Sequence, residues 1–149
     1  MTGKEKAQAL FEGGYNCAQS VLGAFCTELG LTEQQALALA APFGGGIGRT
    51  RETCGALSGL LMVYGCVSGG EDTEKKAEMY EKTRALMDAF KAQAGSVFCR
   101  ELLGLPQGAG GGAPEKRTPA YYAGRPCTYL VGLAAELAEK ALAENARRQ

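Results

Sequence analysis

The stretch Gly44–Cys66, GGGIGRTRETCGALSGLLMVYGC, joins a glycine-rich loop to a long apolar run. Leu57, Leu60, Leu61, Met62, Val63, Tyr64 and Cys66 cover every side of a helix that begins around Thr53 and reaches about Val67. A helix apolar all round is one enclosed by others, so this segment predicts a buried central helix. The flanking sequence repeats the helical period and nowhere sustains strand alternation bounded by hairpin turns. The chain is read as all-α: a single-domain helical bundle over residues 1–149, with a Gly-rich loop ahead of its buried central helix.

Working outward, a first helix is expected over Lys4–Glu12, stopped by Gly13 and Gly14. Asn16 is a good N-cap for a second helix reaching about Gly30, with Ala18, Val21, Leu22, Phe25, Cys26 and Leu29 as its stripe. Thr32 caps a short helix that ends before Pro42. Glu71–Ala94 reads as amphipathic, with Ala77, Tyr80, Met87 and Phe90 on its apolar face. Ser96 is expected to cap a short helix ended by Gly104, and a last helix opens at Pro126 and carries Cys127 on its core stripe. Between these two lies GLPQGAGGGAPEKRTPAYYAGRP, longer than an inert connection, so a lid over a site is one reading.

The 149 residues, 46% of them hydrophobic, suffice for one sizeable core. Sixteen basic and sixteen acidic side chains cancel, which gives no basis for nucleic-acid or anionic-membrane binding. The first residues lack a secretory apolar region and no apolar run approaches a membrane span, so the expected location is cytoplasmic. Six cysteines stand against no histidine. That excludes His-ligated zinc, Cys-His nucleophile pairs and Ser-His-Asp triads, and leaves chemistry that runs on sulfur.

Four of the six cysteines share a place. Cys17, Cys54, Cys99 and Cys127 each fall in an expected first helical turn, where unpaired N–H groups and the dipole favour a thiolate over a thiol. Cys26 and Cys66 do not, and both are expected to pack. Behind Cys54, Gly55 and Gly59 leave bare backbone on one helix face, which asks for a close approach by another helix or a cofactor. The loop GGGIG lacks the Lys and Ser or Thr of a phosphate loop; instead its N–H groups, with Arg49 or Arg51, would supply positive potential near Cys54.

These residues resemble a family of redox-active proteins defined by four cysteines and a Cys-Gly-Ala-x-x-Gly motif. Here the motif is Cys54–Gly59, and GYNCAQSVL, CRELLG and PCTYLVGLAAEL place the other three cysteines at Cys17, Cys99 and Cys127. The resemblance covers nearly the whole chain and implies a redox role. If the four helix starts converge, a site of four thiolates would select an iron–sulfur cluster or zinc, with Cys17, Cys54, Cys99 and Cys127 as ligands and Gly55, Gly59, Arg49 and Arg51 around the cofactor. The absence of a C-x-x-C pair counts against zinc and against a thioredoxin-like dithiol alike. The expected function is electron transfer to a redox partner through an iron–sulfur centre. The alternatives are a thiol oxidoreductase in which Cys54 attacks, a structural zinc site, and a helical interaction module with inert thiols. The size and class allow a homodimer.

Overall fold

The computed structural model describes residues 1–148. Among them are eight α-helices, two short 3-10 turns and no strand, only one isolated bridge between Thr53 and Phe98. The helices are α1 (Gly3–Glu12), α2 (Cys17–Ala24), α3 (Glu33–Ala40), α4 (Gly55–Val67), α5 (Lys76–Ala94), α6 (Cys99–Leu102), α7 (Pro119–Ala123) and α8 (Cys127–Arg147). The all-α reading holds. None of the helices is long and apolar enough to cross a membrane.

Three starts are written in capping boxes: Thr2 with Glu5, Asn16 with Gln19, and Thr32 with Gln35. In each, the cap oxygen accepts the N3 N–H and the N3 side chain accepts the cap's own N–H, so two otherwise orphaned donors are satisfied together. Around these, α1, α2, α4 and α8 close into a ring in which each helix packs on the next, while α3 lies on α2 and α5 lies outside α4 and α8. Phe11, Val21, Leu22, Leu57, Leu60, Val63, Phe90 and Val131 fill the interior.

The bare face of α4 meets α2. A Cβ on Gly59 would stand 2.8 Å from the Val21 Cβ and 3.0 Å from the Ala18 carbonyl, and one on Gly55 would stand 2.8 Å from the Phe43 carbonyl and 3.2 Å from the Cys17 Cβ. The close approach is therefore between helices, and it seats Cys17 against the start of α4.

Four expectations change. The second helix ends at Ala24 rather than near Gly30, because Phe25 leaves helical geometry and buries its ring against Gly3 of α1. Cys26 consequently sits half-buried in the turn that follows, still against the core. Cys66 is exposed, not packed: α4 emerges from the ring at its C-terminal end. On α5 Met87 and Phe90 lie on the inner face as expected, with Leu86 buried and Met79 partly covered, while Ala77 and Tyr80, near the helix start, are exposed instead of packed. Ser96 makes a turn, accepting the Phe98 N–H, and α6 starts only at Cys99.

Gly59→Ala should destabilise the fold by about 1–3 kcal/mol through overpacking against Val21. Gly65→Ala, in the same helix with nothing near its added methyl, should stabilise by about 0.5–1 kcal/mol. Urea unfolding of both variants checks the pair, and equal effects would contradict this packing.

Candidate functional site

The loop ahead of α4 runs left-handed. Gly45, Gly46, Ile47, Gly48 and Arg49 have successive φ values of 64°, 71°, 70°, 56° and 62°, and Arg51 follows at 64°. Glycine enters this region without penalty, but Ile47, Arg49 and Arg51 each cost about 1–3 kcal/mol there. Backbone bonds close the turn, Arg51 N–H to the Gly45 carbonyl at 3.0 Å and Glu52 N–H to the Gly46 carbonyl at 2.9 Å.

Beyond the turn the chain pairs with the approach to α6. Cys54 N–H donates to the Val97 carbonyl at 2.8 Å, Cys99 N–H to the Glu52 carbonyl at 2.7 Å, and Arg100 N–H to the Arg51 carbonyl at 3.2 Å. Gly46 backs onto Cys99 so closely that a Cβ there would lie 2.7 Å from the Cys99 Cβ. Cys54 and Cys99 are thereby fixed on one wall.

Cys17 is the first residue of α2, Cys54 the N-cap of α4, Cys99 the first residue of α6 and Cys127 the first residue of α8. All four line one cavity of about 50 Å³, with Arg51, Arg117, Arg125 and Gly55 also in its wall and no carboxylate there. Gly59 lies deeper, at the α2 contact. Cys26 and Cys66 are elsewhere. All six thiols are free, and among the described residues no three His, Cys, Asp or Glu side chains are grouped to hold a metal ion.

Helix-start position does not make every one of these a thiolate. Burial pushes the Cys54 thiol up to about 12, against the N–H groups of Ala56 and Leu57, which favour the anion. A thiol hydrogen bond to Cys127, followed by burial, holds Cys17 well above the ordinary range. Cys127 moves the other way: the Cys17 hydrogen bond lowers it, and Arg125, Arg117 and Arg51 add to that against burial. At Cys54 desolvation outweighs the helix terminus.

Arg51 is only 5% exposed, far from a solvated loop residue. Its Nη1 donates to Cys99 Sγ at 3.5 Å. Arg117 and Arg125, with Tyr121, complete the cationic side of the cavity and were not singled out from the sequence. Arg117 donates to the Phe11 and Tyr15 carbonyls at 2.8 and 2.9 Å and stacks on Phe11 and Tyr121, which pins the Gly-rich segment to the end of α1. Arg125 stacks on Tyr121 with its carbon 4.3 Å from the ring centre. The signal for them lay in RTPAYYAGRP, where two arginines flank two tyrosines. Glu115 pairs with Arg49 at 2.6 Å and Arg125 at 3.1 Å, and the Arg49 hydrogen bond holds its carboxyl down to about 2.

In the reduced, metal-free protein, unfolding between pH 9.0 and about 12 lets Cys54 release a proton that the folded chain retains. Its contribution is therefore fully present below pH 9.0 and is lost as pH rises toward about 12, with a slope of up to about 1.4 kcal/mol per pH unit. Urea unfolding across that window should show a steeper fall for the parent than for Cys54→Ala. Parallel curves would contradict a protonated Cys54.

The model of the family described as "Putative redox-active protein (C_GCAxxG_C_C)" matches residues 15–141, a span that contains all four cavity cysteines. No curated protein and no solved structure matches the chain. Its four cysteines and Cys54–Gly59 motif, matched over most of the length, place the chain in the C_GCAxxG_C_C family of redox-active proteins.

Proposed function

We propose that the cavity is an electron-transfer centre in which Cys17, Cys54, Cys99 and Cys127 hold an iron–sulfur cluster. The observation that carries this reading is the convergence of four thiols from four helix starts on one cavity that contains no imidazole and no carboxylate. Thiolates alone are a soft donor set, suited to iron–sulfur clusters and zinc. A single zinc at about 2.3 Å from each sulfur would require the four to close around one point. A cluster's thiolates bind different irons, so its four sulfurs need not meet at one point. Bound there, the cluster would accept and return an electron.

The chain's own residues supply the rest. Arg51, Arg117 and Arg125 offset the negative charge of four thiolates, and the N–H groups at the start of α4 favour the Cys54 anion. Leu102, Leu103, Leu130 and Phe11 line the remaining wall and limit water. Because each ligand must lose its proton, occupancy is proton-linked and should weaken as pH falls.

Anaerobic purification or reconstitution, followed by visible absorption and iron and sulfide analysis, tests the reading. The expected result is a coloured protein that loses iron in Cys→Ser variants at 17, 54, 99 and 127 and keeps it in Cys26→Ser and Cys66→Ser. A colourless, iron-free parent under the same conditions would sink it.

Cys17 and Cys127, two thiols of one cavity with Cys17 held up and Cys127 drawn down, support a second reading, a dithiol that cycles through a disulfide. In that reaction Cys127, the lowered thiol, attacks rather than Cys54, and joining the two sulfurs passes two electrons and two protons to a disulfide partner. Oxidation followed by peptide mapping should then yield a Cys17–Cys127 cross-link. An unchanged free-thiol count would remove this alternative.

A further inference from the structure

A second, wider cavity of about 530 Å³ opens beside the cysteines. Its charged lining is four arginines, Arg49, Arg51, Arg117 and Arg125, against one carboxylate, Glu115. Arg51 belongs to both cavities: Nη1 faces Cys99, and Nη2 lies 3.8 Å from Glu115, too far for a hydrogen bond. A guanidinium carries five donors, so this buried one is under-used by its protein partners. The left-handed turn that holds Arg49 and Arg51 in place carries backbone strain, and such strain clusters at functional sites. Glu115 itself is half-exposed and reaches in from a glycine-rich segment tied down by the Gly111 N–H to Arg49 carbonyl bond at 2.7 Å.

We propose that this cavity is a binding site for a small dicarboxylate, and that Glu115 occupies the position of one of its carboxylates in the free protein. The Glu115 carboxylate already shows how such a group fits Arg49 and Arg125. Three cations remain unbalanced when it is seated. A diacid places one carboxylate where Glu115 sits and extends the other to Arg51, which brings the ligand beside Cys99. Planar bidentate recognition is what guanidinium groups do best. Arg117 is committed to backbone carbonyls and aromatic faces, so its part is to shape the wall.

The site does not require a loaded metal centre, so its test is separate from that of the redox reading. Malonate and succinate are titrated calorimetrically at low ionic strength into the reduced 149-residue chain and into Glu115→Gln, with acetate and sulfate as comparators. If Glu115 is seated about nine-tenths of the time, its removal should tighten malonate or succinate about tenfold. Adding Arg125→Gln to that variant should abolish the gain. Arg49→Gln and Arg125→Gln in the parent should each lose the rise in melting temperature that malonate produces, and far-UV circular dichroism confirms that the variants are folded. The proposal is overturned if Glu115→Gln binds the diacids no more tightly than the parent, or if acetate and sulfate gain as much as malonate.

Discussion

A short antiparallel pairing of backbone, residues 51–54 against 97–100, holds Cys54 and Cys99 on one wall although they are far apart in sequence. The pairing depends on the left-handed turn before it, since only that turn delivers Arg51 and Glu52 with their carbonyls facing α6. Three glycines, Gly45, Gly46 and Gly48, make the turn accessible, and the three strained side-chain residues in and after it show that the surrounding contacts over-determine the conformation. Gly46 then meets Cys99 at backbone distance. The other two cysteines arrive by a different route: the ring of α1, α2, α4 and α8 brings the starts of α2 and α8 to the same place.

At that place, two effects oppose each other. Helix starts and arginines favour sulfur anions, while burial disfavours them, and in the metal-free chain burial prevails at Cys54. Cys127 moves the other way because it has both a thiol donor and three guanidinium groups near it. A bound cation reverses this balance, because a coordinating thiol is deprotonated by the metal it binds. On the proposed reading, a protonated Cys54 in the free chain would become a thiolate ligand once a cluster is bound.

How much of this was legible in the sequence follows from where the information sits. Asn16 with Gln19 and Thr32 with Gln35 are local capping pairs, and they marked the starts of α2 and α3 directly. Cys17 at its helix start was legible for the same reason, whereas α4, α6 and α8 begin without a side-chain cap and their starts were read from Thr53, Ser96 and Pro126 nearby. The early end of α2 was not, because its apolar stripe runs on through Phe25 and Leu29; what stops the helix is the contact of Phe25 with Gly3, a tertiary event. The outward face of Tyr80 and the exposure of Cys66 likewise depend on how far α5 and α4 extend past the ring. Burial of Arg51 could not be read from a loop rich in glycine, since it results from positive φ at an arginine. The Glu115 cluster joins residues from segments distant in sequence, and no periodicity encodes it.

X-ray absorption at the iron edge, on the reconstituted protein, tests the four-cysteine centre most directly. The account predicts an iron first shell made of sulfur alone, together with scattering from a neighbouring iron. A shell containing nitrogen or oxygen, or a lone iron without a metal neighbour, would contradict it.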